Sequence, residues 1–241
     1  MKLPLLKLEG VNTHIGPYHI LYGIDFEVPE GELTMLLGRN GAGKTTTLRT
    51  IMGMWRASAG KVIFEGKILS EMATPQISNL GIAYVPENMG IFTDLTVREN
   101  MVLAARNGAP NSARLDWIFT YMPALKKFWE QPSGLLSGGQ KQMLSIARAM
   151  VEPRRLLLVD EPSKGLAPAI IQNLVNAFKA MKEAGTTILV VEQNFNFAKS
   201  LGDTVVVMDN GKVVHRGTMA DLSANETLQQ KLLGLSLDSH Q

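Results

Sequence analysis

Hydrophobic positions along the chain come in short blocks of two kinds. Leu21-Tyr22-Gly23-Ile24-Asp25-Phe26-Glu27-Val28 alternates apolar with polar residues, the period of a strand buried on one face. Pro29-Glu30-Gly31-Glu32 then reads as a tight turn. Leu33–Leu37 is continuously apolar, as in a strand covered on both faces. Strand-sized blocks recur at Ile82–Val85, 156–159, 187–191 and 205–208. Helical spacing of apolar residues falls at about 44–54, 139–151, 168–183 and 195–201. Strands alternating with helices predict an α/β fold. From about 88 to 152 the strand signal stops, and Pro110, Pro123 and Pro132 separate helix-length pieces. This predicts one domain over 1–235, in which 1–87 and 153–235 form the core and 88–152 a helical insert, followed by a tail at 236–241.

Composition narrows the function classes. The 241 residues are 45% hydrophobic and 19% charged, which excludes a disordered chain and supports a sizeable core. The 24 Lys+Arg against 22 Asp+Glu leave a net charge of only +2, so no nucleic-acid partner is expected. No stretch approaches the ~18 consecutive apolar residues of a membrane span. Met1-Lys2-Leu3-Pro4 lacks the apolar core of a secretory signal. A cytoplasmic chain is expected, reaching a membrane only through a partner. Zero cysteine excludes disulfides, thiolate metal sites and cysteine nucleophiles. His14, His19, His215 and His240 show no metal-ligand spacing, and Trp55, Trp117 and Trp129 are isolated enough to read as packing residues.

Gly38-Arg39-Asn40-Gly41-Ala42-Gly43-Lys44-Thr45 fits the G-x-x-x-x-G-K-[ST] phosphate loop, and Thr46 follows it. Glycines let the loop wrap so that backbone N–H groups point inward, and the helix that follows adds its positive end. Lys44 carries a mobile ammonium to the β- and γ-phosphates, and Thr45 offers a hydroxyl to Mg²⁺. The loop follows a buried strand and opens a helix, so the chain is read as binding a nucleoside triphosphate with Mg²⁺. The apolar block at 156–159 ends in Asp160-Glu161-Pro162. Carboxylates at the carboxyl end of a parallel strand sit where such sheets bind ligands. Asp160 is the candidate holder of Mg²⁺, and Glu161 the candidate general base for the attacking water.

Leu136-Ser137-Gly138-Gly139-Gln140 opens a helix in which Met143, Ile146, Ala147 and Met150 recur at core spacing. Ser137 can cap that helix, and the glycines leave room for a phosphate at its first N–H groups. In isolation the segment reads first as a capped helix with a glycine-rich start. Lying between the phosphate loop and the acidic pair, it resembles the signature of the ATP-binding subunit of ATP-binding-cassette (ABC) transporters, and the match covers about 5 to 234. The resemblance implies an α/β P-loop NTPase core with a mixed, mainly parallel sheet, an N-terminal antiparallel β part and an inserted helical subdomain. It implies ATP hydrolysis and a head-to-tail pair of cassettes, homodimeric or with a sister subunit. Ser137, Gly138, Gly139 and Gln140 then act in trans on ATP bound to the partner's phosphate loop. Two membrane permease subunits and, indirectly, a periplasmic substrate-binding protein complete the implied assembly, with the ATPase peripheral on the inner face of the membrane. The loop at 88–95, including Phe92, is the implied contact for a permease.

Three segments sharpen the resemblance: Tyr84-Val85-Pro86-Glu87-Asn88, the run from Pro162 through Ser163-Lys164-Gly165-Leu166-Ala167 to Pro168, and Val191-Glu192-Gln193-Asn194. They are similar to an ATPase subunit of branched-chain amino acid importers; importers of urea, short amides or other amino acids, and a lipopolysaccharide transporter, are the alternatives within the class. Most of the broad family has glutamine at Glu87; a carboxylate remains a hard oxygen ligand for Mg²⁺, directly or through water. Most has histidine at Gln193, whose NH₂ donates to the γ-phosphate but carries no charge. A hydrolysis-poor, ATP-gated switch is therefore the rival reading. Ile15 stands where an aromatic usually stacks on adenine, with Tyr18 as a substitute, and Ala167 stands in place of an aspartate. Repair or chromosome-structure ATPases would need long heptad insertions that the chain lacks.

Overall fold

Residues 4–106 and 108–234 are described in a computed structural model; the tail expected at 236–241, His240 included, lies outside the described residues. The chain opens with β1 (Pro4–Ile15), β2 (Tyr18–Pro29), β3 (Leu33–Leu37), α1 (Lys44–Ile51), β4 (Ala57–Phe64), β5 (Lys67–Ile68), α2 (Thr74–Asn79) and β6 (Ile82–Val85). Then come α3 (Val97–Ala104), α4 (Ser112–Tyr121), α5 (Pro123–Lys127), a 3₁₀ turn at Ser133–Leu135, and α6 (Gly138–Met150). β7 (Leu156–Asp160), α7 (Pro168–Glu183), β8 (Thr187–Glu192), α8 (Phe195–Leu201), β9 (Thr204–Asp209), β10 (Lys212–Thr218), α9 (Met219–Ala224) and α10 (Glu226–Leu233) follow. Two sheets result, an antiparallel one in the order β2-β1-β4-β5 and a mixed one in the order β10-β9-β3-β8-β7-β6.

Side chains alternate across a strand, so each apolar run of the mixed sheet serves two cores. Leu33, Met35 and Leu37 of β3, Leu157 and Val159 of β7, and Ile188 and Val190 of β8 face one core with α6, α7 and α8. Leu36, Leu156, Leu158, Leu189 and Val191 face the other, under α1 and the antiparallel sheet. That double covering is why these strands read as nearly continuous apolar runs, broken only by buried threonines such as Thr34 and Thr187, rather than alternating ones. β1 carries no clean period because its register to β2 shifts at Leu8/Val11 and again at Val11/Thr13. Gly10, at φ +55°, sits at the first shift and donates its N–H to Asp25 Oδ1 at 2.7 Å. A bulge of this kind flips the inward face partway along the strand, which hides it from a period-two reading.

Between β6 and β7 no strand forms among the described residues; one isolated bridge joins Thr96 to Pro132. Val97, Met101, Ile118, Met122 and Leu125 of this stretch join the core that α6 shares with the sheet. Asn100 is fully buried and pins the loop before α3. Its amide donates to the carbonyl of Phe92 at 2.9 Å and to Ser133 Oγ at 3.1 Å, and its Oδ1 accepts from Phe92 N at 2.9 Å. Trp117 and Trp129 pack edge-on against Tyr121 and Phe119, as packing residues should.

Parallel register positions the functional edge. Leu37 pairs with Glu192, Asp160 with Val191, and Val85 with Val159. The loops leaving β3, β6, β7 and β8 therefore emerge side by side at the carboxyl edge of the sheet, where open α/β sheets bind ligands.

Candidate functional site

The loop leaving β3 crosses close over the end of β9. A Cβ on Gly38 would lie 2.3 Å from the Met208 carbonyl oxygen, so no side chain fits there. Gly43 caps α1 at φ +98° with no side-chain cap bond, leaving the first turn of that helix open to an anion. Lys44, only 4% exposed, donates to the carbonyls of Gly38 at 2.8 Å and Arg39 at 3.1 Å. Burial pushes its pKa down, and the carboxylates of Glu161, Asp160 and Glu192 oppose that shift. Arg39 turns away from this loop and lies against Gly234 at the end of α10.

Asp160 is fully buried at the end of β7 and is held on both oxygens. Thr45 Oγ1 donates to Oδ1 at 3.1 Å and the Tyr84 hydroxyl to Oδ2 at 3.2 Å. Burial raises the Asp160 pKa and the two donors oppose it, while Glu161 and Glu87 add to the rise. Burial, with Asp160 beside it, pushes the Tyr84 hydroxyl up to about 12. Glu161 follows in the left-handed region at φ +46°, its N–H bonded to the Val191 carbonyl at 2.9 Å. Its carboxylate has partners different from those of Asp160. Oε1 accepts from Gln193 Nε2 at 2.6 Å and lies 3.6 Å from Lys44 Nζ, and Oε2 lies 3.5 Å from Lys164 Nζ. Gln193 Nε2 is also 2.6 Å from Asn40 Oδ1, so this side chain spans from the phosphate loop to Glu161.

An open cleft of about 380 Å³ runs over this edge, lined by Asn40, Gly41, Ala42, Gly43, Lys44, Thr45, Thr46, Glu87, Glu161, Lys164 and Ile20. Ile15, half-buried at the end of β1, does not line it; Ile20, across the hairpin on β2, does. Tyr18 is 70% exposed at the hairpin tip. Ser137 Oγ accepts from Gln140 N at 3.4 Å and Gln140 Oε1 accepts from Ser137 N at 2.8 Å, the reciprocal cap of α6. Ser137, Gly138, Gly139 and Gln140 are not among the residues lining the cleft, and a Cβ on Gly138 would meet nothing within 4 Å. The donors around the cleft suit Mg²⁺, since the Thr45 hydroxyl and the Asp160 and Glu87 carboxylates are all hard oxygen ligands.

Glu192 was not singled out by its sequence. It is 2% exposed, and its carboxylate accepts from Ser163 N at 2.9 Å, Gln193 N at 3.0 Å and Asn194 N at 3.1 Å. One buried side chain thus ties the turn after β7 to the turn after β8. An acidic residue ending a wholly apolar run was the available signal, the same signal that marked Asp160.

The ABC transporter family matches residues 21–164. The high-affinity branched-chain amino acid transport ATP-binding protein BraG of Pseudomonas aeruginosa is 38% identical over 232 residues, covering 95% of this chain and 100% of that protein. A solved ATP-binding subunit of an ABC transporter superposes with a TM-score of 0.81 at 28% identity, over 97% of this chain and 96% of that one. A nucleotide-free ATP-binding cassette from an ABC transporter shares the fold, with a TM-score of 0.82 at 22% identity over 97% and 100% of the two chains. Among the described residues no helix is long and apolar enough to cross a membrane. With its phosphate loop, acidic strand end and capped glycine-rich helix in this arrangement, the chain belongs to the ABC transporter family, as one of its ATP-binding ATPase cassettes.

Proposed function

We propose that this cassette hydrolyses ATP to drive uptake of branched-chain amino acids through membrane permeases, with the roles of its residues assigned as follows. The open first turn of α1, the loop from Gly38 to Gly43 and Thr46 receive the phosphates, and Lys44 exchanges its loop carbonyls for β- and γ-phosphate oxygens. Thr45 and Asp160, with Glu87, hold Mg²⁺, which when bound offsets phosphate charge. Glu161 accepts the proton of the attacking water. Gln193 orients that water and the γ-phosphate with a neutral NH₂. Ser137, Gly138, Gly139 and Gln140 close the site on a second cassette, identical or a sister. The loop at 88–95, with Phe92 half-exposed at its surface, meets a permease on the cytoplasmic face.

The linkage of Lys44 and Glu161, which line the cleft, to Gln193, which bonds Glu161 and Asn40, and of Thr45 to Asp160 just beneath carries this reading, because those groups together supply phosphate binding, a metal ligand, a base and a positioning donor. The amino acid substrate rests on the likeness to BraG. The test is steady-state ATP turnover of the purified chain beside Glu161→Gln, then leucine uptake in vesicles holding its permeases. A loss of about 10²-fold or more in the variant supports a general base. Equal rates in the two proteins favour a hydrolysis-poor, ATP-gated switch, for which the uncharged Gln193 beside Glu161 is the specific structural motive. Vesicles that take up urea or short amides but no leucine would transfer the engine to another cargo.

A further inference from the structure

Lys164 lies in the turn between β7 and α7, three residues after Glu161, and neither the phosphate loop nor the acidic pair accounts for it. Its Nζ is 2.6 Å from Glu87 Oε1 and 3.5 Å from Glu161 Oε2. Glu87 reaches it from the loop after β6, so one ammonium links two carboxylates carried by different loops. Both carboxylates line the cleft. Lys44 faces the other oxygen of Glu161, leaving Glu161 between two cations. As a lysine ammonium, Lys164 carries its charge throughout the neutral range. Its side chain is 60% exposed, which leaves it free to swing into solvent when displaced.

We propose that Lys164 is a positioning residue that acts as a tethered counter-cation: before nucleotide arrives it occupies Glu87 and Glu161, and Mg²⁺ must displace it from Glu87. This rests on the reading of Thr45, Asp160 and Glu87 as the metal-binding set. Electrostatics sets its size. An exposed pair is worth a modest amount, so removing the ammonium lowers the Mg²⁺ concentration for half-maximal nucleotide binding by about two- to fivefold. The effect shrinks as added salt brings the Debye length from about 30 Å at 0.01 M to about 10 Å at 0.1 M. In EDTA the methionine variant binds nucleotide no more tightly than wild type, because losing a cation from the cleft leaves two carboxylates facing a polyanionic triphosphate.

The experiment titrates Mg²⁺ into the full chain with a fluorescent ATP analogue and compares wild type with Lys164→Met, which keeps the stem, and Lys164→Arg, which keeps the charge. Support is a leftward shift in the methionine variant, wild-type behaviour in the arginine variant, and loss of the shift in a Glu87→Gln background. The proposal is overturned by an unchanged Mg²⁺ midpoint, by a rightward shift, or by an equal tightening in EDTA. Wild-type protein that binds the analogue in neither condition defeats the ATPase reading itself. Normal wild-type binding with indistinguishable variants defeats only the role of Lys164.

Discussion

Replacing Glu192 by glutamine tests whether one buried carboxylate organises two loops of the site. Its two oxygens receive three amide N–H groups at 2.9, 3.0 and 3.1 Å. Glutamine can turn its carbonyl toward the Gln193 and Asn194 pair, but its NH₂ then faces the Ser163 N–H. That leaves one buried donor opposed by another, at a cost of about 2 kcal/mol. For a chain of this size such a loss lowers Tm by about 4–8 °C. A protonated glutamic acid is a better fit than the amide, because each of its oxygens keeps an accepting lone pair. Burial pushes the Glu192 pKa above its ordinary value of 4.5. Between those two values the folded chain holds a proton that the unfolded chain has released, so wild-type stability falls as pH rises through that window. The variant has no such slope. Its Tm deficit is therefore widest below the ordinary carboxylate range, narrows as pH rises and levels off above the shifted value. Differential scanning fluorimetry across pH, with ATP affinity alongside, reads all of this. A Tm within about 1 °C of wild type at every pH would refute the argument.

Two further substitutions probe the same edge. Gly38→Ala places a Cβ 2.3 Å from a backbone oxygen of β9, which cannot rotate away. Melting and fluorescent-nucleotide titration should show about 2–3 kcal/mol of lost stability and no measurable ATP binding. Tyr84→Phe removes the hydroxyl that donates to Asp160 Oδ2 at 3.2 Å. Because that bond favours the ionised carboxylate, its loss raises the Asp160 pKa further, and the acid limb of Mg²⁺-dependent nucleotide binding moves to higher pH than in wild type. An unshifted limb would remove Tyr84 from the site.

Features whose cause is local were legible in the chain. The helix over Pro168–Glu183 and the strand at Leu33–Leu37 follow from apolar spacing, and the phosphate loop from glycines that nothing else could replace. Ser137 as the cap of α6 followed from residue type and position. What escaped was set by residues far apart. Lys164 meets Glu87 across 77 positions and Gln193 meets Asn40 across 153, and no window along the chain contains either pair. β1 escaped because a bulge at Gly10 resets its inward face, and Ile20 rather than Ile15 lines the cleft because the hairpin register brings the second strand over the phosphate loop.

The polar groups of the site satisfy one another, and that explains how the fold tolerates them. Lys44 and Asp160 are nearly or wholly buried, and an unpaired buried charge costs several kcal/mol. Lys44 leans on two carbonyls of its own loop and faces Glu161; Asp160 leans on Thr45 and Tyr84; Glu161 leans on Gln193. Every one of these partners is neutral or is itself part of the site, so a triphosphate with its metal ion can take over these contacts without leaving a charge unpaired. Glu161 is the member least able to relax, since its backbone is already in the left-handed region, a conformation costing about 1–3 kcal/mol that the bond to Val191 helps hold. The backbone of the base is thus held at the end of the strand while the cations around its carboxylate change partners, and nucleotide binding becomes an exchange of neighbours around Glu161.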